Sequence, residues 1–453
     1  MKIVIATTPA PGHVNPMLGL ARILLAEGHE VLAFTGRAFQ ERVEAIGATF
    51  RPIPASADQD VVDPFSKYPE FKTLPPGLEL LRVILERLFV DHIPAQHRAL
   101  EQVLRDVPAD VVVGDDCFLG LLPTLLKPRS TRPPVLCFGT SILHWPREDG
   151  APDFLGLPPA ASPTQHAAII QEHDRIVHQP LAHRLNGCLE RLGLGSLASP
   201  PFEAMVRLAD VYWQLTVPSF ELPRTLPSSV KFIGTLPIIP NQAPLPPWAA
   251  DLDGKRKVVL VTQGTVANHD FNLLIVPTLA ALADEPDLLV VVTAGGRPVE
   301  AIPGPIPANA RLASYLPFEW ILPRTDVFVT NGGYGSVNQA MSFGIPLVCA
   351  GLTEDKADVN MRVGWSEVGI DLKTNTPAPE ALRAAVRAVL DTDRYRRGAL
   401  LMSEEFRMTN APDEIVRDIS RFSKEVADGP DAAAILAQQQ SPLPTLLQAA
   451  RDA

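Results

Sequence analysis

The stretch VTNGGYGSVNQAMSFGIPLV runs from Val329 to Val348 and carries the densest chemical signal in the chain. An apolar strand stops at Thr330, Asn331-Gly332-Gly333 make a turn, and a helix begins at once with Gly335 and Ser336 in its first turn. Glycines let backbone N–H groups approach an anion closely, and a helix start adds partial positive charge there. Val337, Ala340 and Met341 give that helix a buried face, and Gly344 and Pro346 stop it. The segment reads as an anion cradle, with an ordinary tight strand-to-helix turn as the alternative.

Three other segments offer groups for catalysis or binding. PAPGHVNP, Pro9–Pro16, follows the first apolar run. It occupies the place of a dinucleotide fingerprint but lacks Gly-x-Gly-x-x-Gly. It offers Gly12 and then His13, whose imidazole titrates in the range suited to taking a proton at neutral pH; a helix-capping role is the alternative. Asp115 and Asp116 end another apolar run. A carboxylate there can fix a histidine's tautomer and stabilise its cation, or the two can simply cap a loop. LTEDKADVN, Leu352–Asn360, places Glu354, Asp355 and Lys356 after a strand. These side chains can bond neutral hydroxyls or form a solvated charge run.

Groups so far apart in sequence need a scaffold that gathers them. Lys2–Thr7, Glu30–Thr35 and Thr49–Ile53 read as strands, and Asn15–Glu27 and Phe39–Ile46 as the helices between them. That alternation implies right-handed crossovers and a parallel sheet. Leu78–Leu104 reads as helical with a break near Pro94. Asp110–Gly114 and Pro134–Gly139 read as further strands. Between Thr140 and Met205 the alternation loosens into short helices. Pro218–Trp248 is proline-dense and has the composition of a linker. A second strand-first pattern follows: strands Lys257–Thr262, Leu288–Thr293, Arg311–Ser314, Val327–Thr330 and Leu347–Ala350, with helices Phe271–Ala283, Trp320–Arg324, Val359–Glu367 and Pro379–Leu390. The expectation is an α/β chain with two doubly wound Rossmann-like domains facing each other across a cleft. The first covers residues 1–240 and the second 241–453, with a C-terminal helical tail returning to the first. In such a pair the ligand lies between the carboxyl ends of both sheets.

Bulk properties narrow the partners. A chain of 453 residues with 46% apolar content favours two domains. The net charge of −11 argues against nucleic acid or anionic membrane as the main partner. Cys117, Cys137, Cys188 and Cys349 are scattered without a Cys-x-x-Cys pair, which argues against zinc or a disulfide framework. No apolar segment approaches the ~20 residues of a membrane span. The expectation is a soluble, cytoplasmic protein, monomeric or homodimeric.

Taken together, these segments resemble the UDP-glycosyltransferase superfamily with the GT-B fold, over nearly the whole chain up to Asp371. The Pro-x-x-Gly-His-x-x-Pro-x-Leu pattern and the block Tyr315–Lys356 carry the resemblance, which is closest to bacterial and fungal members acting on small lipophilic acceptors. It implies His13 as general base and Asp115 as its partner, with Asp116 the one-residue alternative. Thr265, in the QGT segment, and Ser336 would bond the donor diphosphate together with backbone around Asn331, Gly332, Gly333 and Gly335. Tyr315 would stack on the base where the family usually has Trp, and Leu316 would offer backbone groups to the base edge. Gln339 stands in place of the usual ribose-binding Glu, and Asn331 in place of a His. Gly335 replaces an Asn. Asp355 would hold sugar hydroxyls, and Lys356 follows where plant members carry Gln.

The activity implied is inverting transfer of a sugar from a nucleoside-diphosphate sugar to a hydroxyl of a small lipophilic acceptor. A UDP-sugar is favoured and a dTDP-sugar is the second option, with no metal and no cofactor beyond the co-substrate. A catalytically silent GT-B scaffold or activator partner is one alternative, and a nicotinamide-dependent dehydrogenase is another. Apolar and aromatic residues such as Phe65, Tyr68, Phe71, Trp145 and Phe154 fit either a hydrophobic acceptor pocket or core packing.

Overall fold

The computed structural model describes residues 1–58, 66–162, 164–238, 244–265 and 268–425; Phe65 lies outside them. Two parallel sheets organise the chain. The first contains β1 (Lys2–Ala6), β2 (Glu30–Thr35), β3 (Thr49–Pro52), β4 (Val111–Asp115), β5 (Val135–Gly139), β6 (Val211–Gln214) and β7 (Val230–Phe232), in the order β3-β2-β1-β4-β5-β6-β7. The second contains β8 (Lys257–Thr262), β9 (Leu288–Thr293), β10 (Ala310–Ala313), β11 (Val327–Thr330), β12 (Leu347–Cys349) and β13 (Gly369–Asp371), in the order β10-β9-β8-β11-β12-β13. The central strands are continuous Ile, Val and Leu runs because helices cover both faces and leave no wet side.

Each sheet has one place where its strand order reverses, between β1 and β4 in the first and between β8 and β11 in the second. Chains leaving two such strands must turn away in opposite directions, which opens a crevice at the carboxyl ends. His13 and Asp115 flank the first reversal. Thr265 and the Asn331–Gly333 turn flank the second.

Four apolar clusters line the two faces of each sheet. The cluster under β1 also takes Ala411, Ile415, Ile419 and Phe422 from the last described helix, Ala411–Glu425. That helix is tied to the first sheet by Trp213 Nε1 donating to Asp418 Oδ2 at 2.8 Å and by an ion pair of Lys231 with Asp418. On the other side, Ile142, Val217 and Phe220 of the first half join the core of the second.

Several elements differ from the sequence reading. The first helix is Pro11–Ala26, not Asn15–Glu27. Pro11 takes the first position, where its fixed φ fits and its missing N–H costs nothing, and Pro16 lies inside the helix. The break in Leu78–Leu104 falls at Phe89–His92, ahead of Pro94, which then opens the next helix, Ile93–Asp106. The proline-dense stretch contains the edge strand β7. The helix expected at Val359–Glu367 starts at Lys356 and ends at Trp365. No helix among the described residues is long and apolar enough to cross a membrane.

Candidate active site

The register of the first sheet sets the geometry around His13. Ala6 lies beside Gly114, so the chain after β1 and the end of β4 leave the sheet together. Asp115 is fully buried and accepts from Thr8 N (2.6 Å), Thr8 Oγ1 (2.9 Å) and Cys117 N (3.0 Å). His13, in the first turn of its helix, brings Nδ1 to 3.1 Å from Asp115 Oδ1 while its side chain stays 19% exposed. Burial pushes the imidazole's pKa down, but Asp115 more than offsets this, and with Asp116 and Asp355 nearby the pKa is raised to about 8. Burial pushes the Asp115 carboxyl up, and the charge of His13 together with the hydrogen bonds holds it below the usual range.

Asp116, one residue on, points elsewhere. It accepts from Thr140 N (3.2 Å), Thr140 Oγ1 (2.9 Å) and Ser141 Oγ (2.8 Å). Of the two aspartates, Asp115 makes the direct contact with His13. Among the described residues, His13, Asp115, Asp116 and Cys117 are close enough to hold a cation, with ligand atoms within 4.8 Å. Both carboxylates are already filled by internal donors, and burial drives the Cys117 thiol well above its usual pKa, which keeps it protonated. The donor set suits a hydrogen-bonded acid–base site better than a metal cage. All four cysteines are buried and unpaired.

On the opposite side, Gly332 and Gly333 have different roles. The left-handed backbone and the lack of room for a side chain fall on Gly332, whose φ is +95° and where an added Cβ would collide with Asn360 Oδ1. Gly333 has φ −62° and caps the helix Tyr334–Ser342. Among the described residues, a Cβ on Gly333 or Gly335 would meet nothing within 4 Å. Among the described residues, no side-chain hydrogen bond caps that helix, so its first-turn N–H groups face this open space without a side-chain partner there. Ser336 and Gln339 are half-buried beside it, and Thr265 is exposed after β8. The Asn331 amide donates to Gln263 O at 2.7 Å and ties together the turns that follow β8 and β11. Tyr315 is 52% exposed, with a ring available for stacking, whereas the Leu316 side chain lies in the core.

Asp355 stands at the N-cap position of the helix Lys356–Trp365, with no side-chain hydrogen bond to the helix start among the described residues. Burial raises its carboxyl to about 6, opposed by His144 and His13, which places Asp355 within electrostatic reach of the candidate base from the other half. Lys356 pairs with Glu354, and burial lowers its amine to about 8.

Sequence reasoning missed Thr140, Ser141 and His144. Thr140 and Ser141 follow β5 directly, so the rule that singled out Asp115, a polar residue at the carboxyl end of a central strand, applied to them equally. Trp145 donates to Thr225 O and lies under Arg207, and Phe154 packs on His144 and Phe202, so both serve packing. Tyr68 and Phe71 form a ring pair at 5.1 Å in the first half.

Comparison with known proteins follows the same outline. Residues 278–422 match the family model for the erythromycin biosynthesis protein CIII-like C-terminal domain. The chain is 39% identical to 4'-demethylrebeccamycin synthase of Lentzea aerocolonigenes, covering 90% of this chain and 96% of that protein. It is 34% identical to UDP-glycosyltransferase 2 of Phaeomoniella chlamydospora, covering 93% and 95%. The crystal structure of a spinosyn rhamnosyltransferase complexed with thymidine diphosphate superposes with a TM-score of 0.66 at 19% identity, covering 93% and 100%. With two facing Rossmann-like domains, and with relatives this similar over nearly their full length, the chain belongs to the UDP-glycosyltransferase superfamily and is a glycosyltransferase of GT-B fold.

Proposed function

We propose that this glycosyltransferase moves a sugar, with inversion, from a nucleoside-diphosphate sugar to a hydroxyl of a small lipophilic acceptor. The acceptor would sit on residues 1–240 and the donor on 241–453. The observation that carries the reading is the His13–Asp115 pair at one strand reversal, set against the open, glycine-lined helix start at the other. His13 Nε2 takes the acceptor proton as the oxygen attacks the anomeric carbon. Asp115 steadies the imidazolium. The diphosphate leaves from the opposite face, and its growing charge is met by N–H groups at Gly332–Ser336 and the hydroxyls of Ser336 and Thr265. Asp355 accepts hydrogen bonds from sugar hydroxyls, with Lys356 beside it. Tyr315 and Leu316 hold the base, and Gln339 the ribose.

A UDP-sugar is the favoured donor, since one relative is named a UDP-glycosyltransferase. A dTDP-sugar is second, since a neighbour of the same fold was solved with thymidine diphosphate. Metal-independent action in the cytoplasm, as a monomer or homodimer, completes the proposal, and the four buried, unpaired cysteines fit it. The test pairs a thermal-shift screen of nucleotide sugars, in which a ligand of the native state raises stability, with turnover by His13→Ala. Turnover should fall ~10²–10⁴-fold with nucleotide binding retained; near-parental turnover would reject the base.

A further inference from the structure

We infer that Thr140, held by Asp116, is a second positioning residue for His13, acting on the same ring nitrogen as Asp115. The inference rests on His13 being the base.

Thr140 Oγ1 lies 2.8 Å from His13 Nδ1 and 2.9 Å from Asp116 Oδ1. The hydroxyl has one proton, and a carboxylate only accepts. That proton therefore goes to Asp116, and toward His13 the oxygen can only accept. Nδ1 must then carry the hydrogen, which leaves the Nε2 lone pair free for the acceptor's proton. Asp115 alone would select the same tautomer. What Thr140 adds is direction, because the N–H is received by one oxygen at the end of β4 and another just past the end of β5. Two acceptors on different strands fix the tilt of the ring as well as its tautomer.

The arm is braced from behind. Asp116 Oδ1 also accepts from Thr140 N at 3.2 Å, and its Oδ2 accepts from Ser141 Oγ at 2.8 Å. Ser141 Oγ lies 3.2 Å from His144 Nε2, and His144 Nδ1 lies 3.0 Å from Asp153 Oδ2. Thr140, Ser141 and His144 are all buried. A hydroxyl held this way cannot swing aside without leaving buried polar groups unpaired.

The charged groups facing His13 are Asp115 from β4, Asp116 from the turn after it, and Asp355 from the helix start of the other half. Thr140→Val keeps the shape and removes the hydroxyl; Thr140→Ser restores it; Thr140→Ala replaces the valine variant if circular dichroism shows misfolding. The expected result for Thr140→Val is a kcat about tenfold lower, equivalent to about 1.4 kcal/mol. KM for the nucleotide sugar should hold within about twofold. The midpoint of the rise of kcat/KM with pH should fall below its parental position, because the imidazolium loses an acceptor. Thr140→Ser should recover kcat and midpoint together. A parental kcat and midpoint in Thr140→Val would overturn the inference. So would a change confined to KM, which would mean that the hydroxyl meets substrate, or a serine variant as impaired as the valine one. His13→Ala run in parallel separates the two readings. If it turns over normally, the base assignment fails and this inference with it; if it is inactive while Thr140→Val is normal, only the positioning role fails.

Discussion

His13 sits where burial and a carboxylate pull in opposite directions, and the carboxylate wins. Its pKa of about 8 lies above the ordinary 6.5, so in the free enzyme the base is mostly protonated at neutral pH. A base must be neutral to act, so kcat/KM is expected to rise with pH through about 8; a flat profile from pH 6 to 9 would contradict the assignment. Stability runs the other way. A group whose folded pKa is raised stabilises the fold below its unfolded value, here near 6.5, and that contribution is lost as pH rises through about 8. The same protein should therefore gain activity and lose a little stability over that interval. Asp115→Asn should reduce activity more than Asp116→Asn, since Asp115 touches the ring and Asp116 acts through Thr140; steady-state kinetics of the two variants would give the order. Asp355→Ala should weaken binding of the nucleotide sugar more than of the free nucleoside diphosphate, as read by calorimetry, and equal losses would count against a sugar-specific role.

The turn after β11 shows what the sequence could and could not reveal. Its glycines suggest a close approach of backbone to an anion; the position that needs a left-handed φ and has no room is Gly332, packed on Asn360. Spacing alone cannot tell which of two adjacent glycines carries the constraint, because the answer depends on a side chain nearly thirty residues away. The two substitutions should now separate fold from ligand. Gly332→Val should destabilise the protein, from both the φ and the collision with Asn360. Gly333→Val should fold, as read by circular dichroism, yet lose nucleoside diphosphate in a titration. Ser336→Ala should cost about 1.5–3 kcal/mol of that affinity. A folded Gly333→Val that binds as tightly as the parent would leave this an ordinary turn. The apolar buried strands were legible for a simple reason: β1, β2, β4, β8, β9 and β11 are apolar runs with few alternatives. β6, β7 and β13 were not: Val211–Gln214, Val230–Phe232 and Gly369–Asp371 mix polar and apolar residues over three or four positions and depend on the sheet beside them. The first helix was misplaced because Pro16 reads as a start signal while Pro11 is the true one. His13 and Asp115 stood out by strand-end position; Thr140 escaped because a threonine announces no chemistry until Asp116 claims its proton.

The two halves are joined through residues at and just past the carboxyl ends of their strands. Tyr334, at the start of the candidate diphosphate helix, accepts from Gln214 Nε2 at 2.6 Å, and the same nitrogen donates to Ser141 O at 2.7 Å. Thr216 Oγ1 donates to Asn338 Oδ1 on that helix, and Arg362 pairs with Glu221 at 3.1 Å. The donor helix is thus fastened, through the Gln214 side chain, to the backbone of Ser141, the residue after Thr140. The last described helix adds a second fastening, because it follows the second half in sequence but buries Ile415 and Ile419 completely against the first sheet. A side chain in that position stabilises the first half through a segment attached to the second, so its loss should be felt across the molecule rather than in one domain. Ile419→Ala removes buried apolar volume and none of the polar contacts of His13 or of the open helix start. It should lower stability by about 2–5 kcal/mol, measured by denaturant unfolding, and leave kcat unchanged at temperatures where the variant stays folded. If the halves unfold as one unit, fluorescence and circular dichroism should report the same shifted midpoint. A lower midpoint for only part of the signal would show instead that the helix supports the first sheet alone and that the contacts at Tyr334 and Arg362 do not couple the halves in unfolding.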